Sequence, residues 1–581
     1  MKNKIIKFWH YYKACYSGEI LKRIEYKIKD LTGYFIIRNY FQNKKKAMKM
    51  NSKIIINTNN INADNYKSTY SIFNEKKEIT QIEEKLKTEY IFWRKVKLSK
   101  YSDIKLEWEY NRLQFLVPIA IEYAKTKNKK YKDLIIELLN CWIENNPYEY
   151  TNNWSSNLEV AIRAINIALT LLVLNDEEIN EKYMYMLYLH AEHIYSEIEY
   201  SNCCIPNNHV IGEAVALLFL SNMIKTKQAN KWNKKGLKII TKYLDIIDSD
   251  GISKENSFSY QFFVTKMFIL SLCFIKNKEL FKKVNLKILK SLEILKFVLI
   301  DNENIINYGD NDNGFLYSIY SEYNIAKDIK EYYEFFYENK VKDEIDIYLQ
   351  LFKFYNKENK IEHGKIKNKE YIKTKNIFIY KWKNNIFFFN AKNITGHAHN
   401  DSLAVNLFVN GKEILLDSGT YSYNISREKR KYYRNRNSHC TIINNCSNAI
   451  TVGTFRWLNI NKSYLKEIKV TEDSVIVKGV IENLCSREIY INQKENMIKI
   501  TDFNFEENKI KTNWITPITF NNLKNNNIKI ENVSIEFDNK SIIKNKQVFF
   551  SKMYLSEEDA MSYEVENNKN NKMETVITIG E

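Results

Sequence analysis

Between about residue 81 and residue 356, apolar residues recur at intervals of three and four, which places them on one face of successive helices. Short polar gaps separate these segments, and helices joined by short turns pack antiparallel. A long series of such helices predicts a helical toroid or solenoid. A repeat of fixed period is absent, which argues against the standard repeat families. The predicted helices cover residues 113–123, 131–143, 158–174, 183–198, 210–224, 232–247, 260–275 and 280–299, with more between 320 and 355.

After about residue 370 the pattern changes to short runs rich in aromatic and β-branched residues, separated by Asn-rich turns. In residues 469–480, two such runs flank Glu-Asp-Ser, which predicts a β-hairpin. The whole region predicts an antiparallel β-sandwich of about 200 residues. The other predicted strands cover residues 377–383, 386–390, 403–409, 413–416 and 441–443.

A single core stops growing near about 250–300 residues, so a chain of 581 residues is expected to form at least two domains. We predict an α+β multidomain protein in which a helical domain precedes the β-sandwich. An amphipathic helix is predicted near the N-terminus, over residues 20–40. The predicted segments are a poorly defined N-terminal arm (1–75), the helical domain (76–356), a charged linker (357–371) and the β-sandwich (372–581).

The formal net charge of +18 favours a polyanionic partner through long-range attraction. Nucleic acids and acidic polysaccharides both carry that charge. No helix-turn-helix, zinc-knuckle or RNA-recognition signature is present, so we predict no nucleic-acid partner. The alternative explanation is a biased composition on a solvated surface. Lysine is abundant throughout, and runs such as Lys44-Lys-Lys46 therefore carry little functional weight by themselves.

The sequence also bears on the protein's location. Its eight cysteines form no Cys-x-x-Cys pair, which is typical of a reducing compartment. The N-terminus is basic but lacks an uninterrupted apolar run and a small-residue cleavage site, so no secretory signal is predicted. We also expect no transmembrane helix. By sequence alone these features fit the cytoplasm, and they leave export open.

The scarce histidines are clustered. Only eight occur in the chain, and three of them, His397, His399 and His439, fall within one 43-residue window that also contains Asp417. His399, Asp417 and His439 offer two imidazoles and a carboxylate, which are standard zinc ligands. Their intervals of 18 and 22 residues fit ligands on adjacent strands. The alternative is that these side chains form ordinary hydrogen bonds in the core or at the surface.

A second polar group, Pro206-Asn207-Asn208-His209, opens an apolar helix. Asn207 or Asn208 can serve as the N-cap of that helix. An N-cap explains one Asn, but not its neighbour together with His209, which we expect to point into a cleft. Tyr260 starts another helix. Because the chain has 41 tyrosines, its spacing alone would not single it out from core packing.

Arginines cluster between residues 427 and 436, although lysine is the commoner basic residue elsewhere. Guanidinium groups suit bidentate recognition of carboxylate or sulfate, and a solvated basic loop is the alternative. Trp154 can stack on a sugar ring or pack against a helix. Glu159 and Arg163 are spaced as a helix ion pair.

Several of these segments resemble the heparinase II/III family of polysaccharide lyases, which includes related alginate lyases. The resemblance covers roughly residues 90–480 and implies an incomplete α/α toroid followed by an antiparallel β-sandwich, in agreement with the pattern of apolar residues. The similar motifs are Trp108-Glu-Tyr-Asn-Arg-Leu-Gln, Trp154 through Arg163, Asn207 through Glu213, His397-Ala-His399-Asn-Asp-Ser-Leu, Leu416-Asp417-Ser-Gly-Thr-Tyr421 and Tyr433 through His439.

The resemblance implies β-elimination at a uronic acid. A base removes the C5 proton, and the glycosidic oxygen at C4 leaves. By resemblance, Asn208 and His209 stabilise charge on the uronate carboxylate, Tyr260 is the catalytic acid and sometimes also the base, and His397 is the second acid/base. His399, Asp417 and His439 resemble a structural zinc site. The predicted substrate-binding residues are Trp154, Arg163, Asn207, Tyr433 and Arg434.

The chain departs from the family at Asn400, often a small residue, and at Ser418, often Pro. Exported members usually carry a signal peptide, and none is predicted from this sequence. Our leading hypothesis is a lyase acting on an acidic polysaccharide. One alternative is a non-catalytic glycan-binding or surface-polysaccharide assembly protein. Another is a hydrolase, for which Asp310 and Asp312 would supply the two carboxylates.

Overall fold

The computed structural model describes residues 9–43, 49–50, 56–58, 61, 69–72, 75–98, 102–175, 180–367, 369–518, 523–524 and 526–580. Helices α1 (Glu19–Leu31) and α2 (Tyr34–Gln42) lie in the N-terminal arm. The single helix expected over residues 20–40 is therefore two helices, separated at Gly33, whose φ of 70° ends the first. The lysine run 44–46 lies outside the described residues.

A helical region follows the arm and agrees closely with the predicted helices. Its members are α3 (Ile104–Asn111), α4 (Leu116–Thr126), α5 (Lys129–Asn145), α6 (Asn157–Leu174), α7 (Asn180–Cys204), α8 (Asn208–Met223), α9 (Ala229–Lys242), α10 (Phe258–Leu272), α11 (Lys278–Phe297), α12 (Ile325–Glu338) and α13 (Asp343–Tyr355).

Inner and outer helices alternate along this region. Helices α4, α6, α8 and α10 pack successively against one another, while α5, α7, α9 and α11 pack outside them. The inner helices α6, α8 and α10 are buried on nearly every side, as a helix that is apolar all round must be. Among the described helices, α6 is long and apolar enough to span a membrane, and 94% of it is buried inside the protein.

Antiparallel sheets dominate the chain after about residue 370. One sheet contains five strands in chain order, β1 (Tyr371–Lys373), β2 (Ile377–Trp382), β3 (Asn385–Asn390), β4 (Val405–Val409) and β5 (Lys412–Leu415). A short helix, α14 (Arg427–Arg434), and a two-stranded hairpin, β6 (Ile450–Val452) with β7 (Arg456–Leu458), follow it.

The second layer is an eight-stranded sheet in the order β8-β9-β10-β11-β18-β15-β14-β13, and a three-stranded sheet has the order β12-β17-β16. These strands are β8 (Ser463–Val470), β9 (Ser474–Ile481), β10 (Cys485–Asn492), β11 (Met497–Asn504), β12 (Ile510–Pro517), β13 (Leu523–Lys524), β14 (Asn527–Ile530), β15 (Val533–Phe537), β16 (Ile542–Phe550), β17 (Glu558–Asn567) and β18 (Lys572–Ile579).

The five-stranded sheet is buried on both faces, which explains the uninterrupted apolar runs of β2 and β3. Successive side chains of a strand point to opposite faces. Ile379 and Phe388 therefore join the core of the helical region. Their neighbours Phe378 and Phe387 join the core between the sheets. This sheet docks the sandwich onto the helices and positions the loops between them.

The predicted fold class, a helical toroid followed by an antiparallel β-sandwich, is confirmed. The hairpin predicted in residues 469–480 is formed by β8 and β9. One strand prediction is wrong: residues 441–443 make only an isolated bridge, between Ile442 and Thr512. The backbone hydrogen bonds of that segment, from Ile443 N to the carbonyl of Lys511 and from Asn513 N to the carbonyl of Thr441, cover too short a stretch to form a strand.

Candidate active site

The chemical groups converge where the inner helices α8 and α10 begin, at the end of the helical region that faces the sandwich. Asn207 caps α8 by accepting a hydrogen bond from the backbone N–H of His209, at 3.1 Å. Ser257 caps α10 in the same way and accepts from the N–H of Tyr260. Both caps fix helix starts that carry candidate catalytic residues, so Asn207 has a structural task of its own.

Asn208, the first residue of α8, is buried and held by a carboxylate. Its backbone N–H and its side-chain Nδ2 donate to Glu255 Oε1, at 2.7 and 3.1 Å. Its Oδ1 is buried and has no hydrogen-bond partner. One of the two Nδ2 protons is used by Glu255, and the amide keeps a second donor and a free acceptor for another group.

His209 follows Asn208 and keeps part of its surface open. The surrounding protein nevertheless desolvates the ring, and this burial lowers the pKa of His209 to about 4. The charge of nearby Glu159 opposes that shift, while His397 and Arg112 add to it. His209 is therefore a neutral imidazole at neutral pH, able to donate one hydrogen bond.

The Tyr260 phenol points into the same region. Its hydroxyl donates to Asp312 Oδ2 at 3.0 Å and lies 2.9 Å from the hydroxyl of Tyr423. Burial, and then the charge of Asp312, raises the pKa of Tyr260 well above its usual range. Tyr260 is therefore held as a neutral proton donor, and these surroundings oppose its use as a base.

The His397 imidazole stacks directly on Tyr260, with ring centroids 3.6 Å apart and planes 15° from parallel. Its Nδ1 lies 3.0 Å from Asp310 Oδ2, and its Nε2 lies 3.8 Å from Glu255 Oε2. Because Asp310 accepts the proton of Nδ1, Nε2 is the ring atom left for proton transfer. The acid and the base proposed from the sequence are therefore in contact.

Backbone contacts hold the His397 loop against the loop that carries Asp310. The N–H of Asp310 donates to the carbonyl of His397 at 2.9 Å, and the N–H of His397 donates to the carbonyl of Glu255 at 3.1 Å. Gly309 has a φ of 68°, and a Cβ at this position would collide with the carbonyl oxygen of Asn256. A glycine is required here for the loops to approach.

Asp310 links the stacked pair to the histidines behind it. Arg430 forms two hydrogen bonds to its carboxylate, at 2.5 and 2.7 Å, and His399 Nε2 lies 3.0 Å from Oδ1. Burial acts to raise the pKa of Asp310, but the charge of Arg430 and the bonds from His397 and His399 hold it well below its usual range. A fully buried carboxylate is thus kept ionised by its cationic and hydrogen-bonding partners.

His399, Asp417 and His439 form a group that can hold a metal ion. All three are buried, and one ligand atom from each lies within 4.8 Å of the others. His399 Nδ1 and His439 Nε2 are buried without a hydrogen-bond partner, and His439 Nδ1 lies 2.9 Å from Asp417 Oδ2. Burial lowers the pKa of His399 and favours the neutral imidazole that metals bind. The residues present therefore fit a metal.

Two predicted substrate-binding residues lie in the helical core instead of the cleft. Arg163 is fully buried, and its guanidinium donates to His190 Nε2 at 3.0 Å and to the carbonyl of Asn153 at 2.9 Å. Its charge lies over the ring of Trp142, and the buried ring of Trp154 is beside it. Arg163 and Trp154 therefore support the fold, since no polar surface of either faces the cleft. Arg163 does not pair with Glu159.

Tyr433 and Arg434 also have structural partners. The Tyr433 hydroxyl donates to Glu557 Oε1 at 2.7 Å. Arg434 is buried, donates to the carbonyl of Thr454 at 2.5 Å and lies over the ring of Trp457. Arg434 thus ties the hairpin to the loops of the site. Within the arginine cluster, Arg430 is the residue that reaches the stacked pair, through Asp310.

Four residues at the site carried little or no sequence signal. Glu255 and Tyr423 lie in segments without any recognisable motif. Asp310 and Asp312 were considered only as a hydrolytic pair. Both carboxylates are instead held ionised. The partners of Asp310 are described above, and the charges of Lys105 and Arg112 lower the pKa of Asp312 although burial acts to raise it. A glycosidase needs one carboxyl group with a raised pKa, so the pair does not support hydrolysis.

Two regions of the chain match known protein families. Residues 22–342 match the heparinase II/III N-terminus, and residues 388–509 match the heparinase II/III-like C-terminal region. A search of curated protein sequences gave no match.

Solved structures share the architecture. The chain is similar to the crystal structure of heparinase III, with a TM-score of 0.58 and 14% identity over 98% of this chain and 94% of that one. It is also similar to a mutant of the heparan sulfate lyase HepC from Pedobacter heparinus, with a TM-score of 0.57 and 15% identity over 90% and 86% of the two chains. At these identities the similarity shows a common fold.

Proposed function

The chain belongs to the heparinase II/III-like family, and from this premise we propose that it is a polysaccharide lyase that cleaves uronic-acid-containing glycans by β-elimination. The observation that supports this proposal most is the stacked pair of Tyr260 and His397 beside the buried amide of Asn208. An acid, a base and a donor for a carboxylate are the three groups that the reaction needs.

In the proposed reaction His397 Nε2 removes the C5 proton of the uronic acid. The electrons of that C–H bond form the C4–C5 double bond, and the C4–O bond breaks. The leaving glycosidic oxygen receives the proton of the Tyr260 hydroxyl. Asp310 keeps Nδ1 protonated, so it positions the base without taking part in the transfer. The Tyr423 hydroxyl lies against the Tyr260 hydroxyl. From this position Tyr423 can supply a new proton to Tyr260 after the transfer.

Charge develops on the uronate carboxylate as the C5 proton leaves, and preorganised donors stabilise it best. Asn208 retains one Nδ2 proton for this purpose, because Glu255 accepts only the other. The neutral His209 offers a second donor. Both residues start the same inner helix, whose positive end adds a favourable field for the carboxylate.

We propose that the metal held by His399, Asp417 and His439 is zinc, since two imidazoles and a carboxylate form a typical zinc ligand set. His399, Asp417 and His439 would hold the metal, which would then have a structural role in the sandwich loops. Asp310 contacts both His399 and His397, so it orients a metal ligand and the base together.

Purified protein is expected to contain about one zinc ion per chain, and His439→Ala is expected to lose it, because the substitution removes a ligand from a three-residue group. Elemental analysis of both proteins measures the metal. His363→Ala is the matched control, since His363 lies apart from the group, against the carbonyl of Phe335. If wild-type protein that was prepared without chelators contains no metal, the three residues do not form a zinc site.

The proposed activity is tested by incubating the protein with heparan sulfate, alginate and other uronate polymers. β-Elimination is expected to produce a 4,5-unsaturated uronate, detected by its ultraviolet absorbance and by the mass of the products. New reducing ends without the absorbance would indicate hydrolysis. Tight binding of an acidic glycan with no turnover across the panel would instead support the glycan-binding alternative.

A further inference from the structure

The N-terminal arm, helices α1 and α2, exposes an unusual number of apolar side chains. Large apolar residues scattered singly on a surface are normal, but a contiguous set marks an interaction site. Among the described residues, 13 of the 27 exposed large apolar side chains belong to the short segment 9–41. They are Trp9, Tyr11, Tyr12, Tyr16, Leu21, Ile24, Ile28, Leu31, Tyr34, Ile36, Ile37, Tyr40 and Phe41.

The exposed residues of α1 form one stripe. Leu21, Ile24, Ile28 and Leu31 follow one another at intervals of three and four, which places them on one side of the helix. Each is between 52% and 76% exposed. On α2, Tyr34 and Ile37 continue with the same spacing and are also exposed.

The opposite side of the arm faces the protein and is anchored there by charged residues. Arg38 is buried and forms ion pairs with Glu149 and Glu197 of the helical region. Glu19 is buried and pairs with Arg456 of the β6-β7 hairpin at 2.9 Å. An ordinary surface helix buries its apolar side and exposes its polar side. The arm buries Tyr26 and Phe35 in the helical core beside these ion pairs, but it leaves the apolar stripe of α1 exposed.

The charge of the arm identifies the occupant of this surface. Residues 1–50, the segment that contains α1 and α2, have 13 Lys and Arg but three Asp and Glu, and thus carry more than half of the net charge of +18. Five of these basic residues lie in the two helices, and the other eight flank them. Glu19, Glu25 and Asp30, the three acids, all take part in ion pairs. Two such arms would repel each other, which opposes a second copy of the chain as the partner.

We propose that the arm is a docking surface for a bilayer that contains anionic lipids. Helices that lie in a membrane interface combine an apolar face with basic and aromatic residues, and anionic headgroups attract the basic groups. Leu21, Ile24, Ile28 and Leu31 would enter the acyl boundary. Exposed tyrosines such as Tyr34 suit the headgroup level, where aromatic residues are enriched. The inference does not depend on the lyase chemistry.

The test is co-sedimentation of the full-length protein with vesicles. Vesicles of phosphatidylcholine mixed with phosphatidylglycerol are expected to bind the wild type, and added salt is expected to weaken binding. A variant with Leu21→Gln, Ile24→Gln and Ile28→Gln is expected to bind at least about tenfold more weakly, because three side chains no longer enter the apolar boundary.

The matched control is a variant with Leu286→Gln, Val341→Gln and Ile366→Gln. These residues are between 50% and 56% exposed, similar to the stripe, but lie outside the arm. The control is expected to bind vesicles as the wild type does, and circular dichroism checks that both variants fold. Equal binding by wild type and stripe variant, or no binding to anionic vesicles, overturns the proposal. Light scattering gives a further test of the proposal. If the wild type is a dimer, and the stripe substitutions dissociate it without changing vesicle binding, the proposal is also overturned.

Discussion

Tyr260→Phe is expected to lower kcat for uronate cleavage by about 10²–10⁴-fold, the usual contribution of a positioned general acid. The substitution removes the hydroxyl that would protonate the leaving oxygen, and it keeps the ring that stacks on His397. Asp312 retains the N–H of Gly314, at 3.0 Å, and the nearby ammonium of Lys105. Initial rates of unsaturated-product formation measure the effect, and KM is expected to change little.

Tyr348→Phe provides the control for this experiment. Tyr348 is also a buried tyrosine, but it lies in α13, packed on Phe352, and its hydroxyl has no hydrogen-bond partner. It is expected to keep wild-type activity. If Tyr260→Phe were as active as Tyr348→Phe, Tyr260 would not be the proton donor. Loss of activity in both variants would point to a general effect on the fold.

His397→Ala is expected to reduce kcat to a similar extent, because it removes the group proposed to take the C5 proton. The space left beside Tyr260 can admit a small base, so added imidazole is expected to restore part of the activity. Asp310 keeps its two hydrogen bonds from Arg430, which limits the damage to the surrounding loops.

Metal content separates a chemical role of His397 from a structural one. His397 lies outside the group of His399, Asp417 and His439, so His397→Ala is expected to retain as much zinc as the wild type. Full cleavage activity in this variant would remove His397 from the mechanism. A variant without metal and without imidazole rescue would show that His397 supports the loops instead.

The sequence alone determined the architecture, because the relevant signal is local. A period of three to four residues identified α6, α8 and α10, and β-rich runs identified β2 and β3. The position of Asn208 and His209 at a helix start could be predicted for the same reason, since a capping pattern involves neighbouring residues.

The arrangement of side chains around those elements depended on distant contacts. His397 meets Asp310 across 87 positions of the chain, and Arg430 meets it across 120. The periodicity of apolar residues carries no information about such distant pairs. The places of Glu255 and Tyr423 in the site were therefore not predicted. Arg163 was assigned to the substrate because it lies in a segment that resembles the family's motif, and its spacing from Glu159 suggested only a helix ion pair. Only the packing of α6 against its neighbours reveals the carbonyls and the imidazole that satisfy it.

In the N-terminal arm, too, the sequence predicted local structure and distant contacts decided its packing. Its spacing predicted amphipathic helical structure over residues 20–40, although the break at Gly33 that divides it into two helices was not predicted. Which face of each helix is buried depends on what surrounds it, and Arg38 finds Glu149 and Glu197 only in the folded protein. Local spacing thus fixed the elements of this protein. Contacts between residues far apart in the chain decided which of their polar groups support the fold and which are available for chemistry or binding.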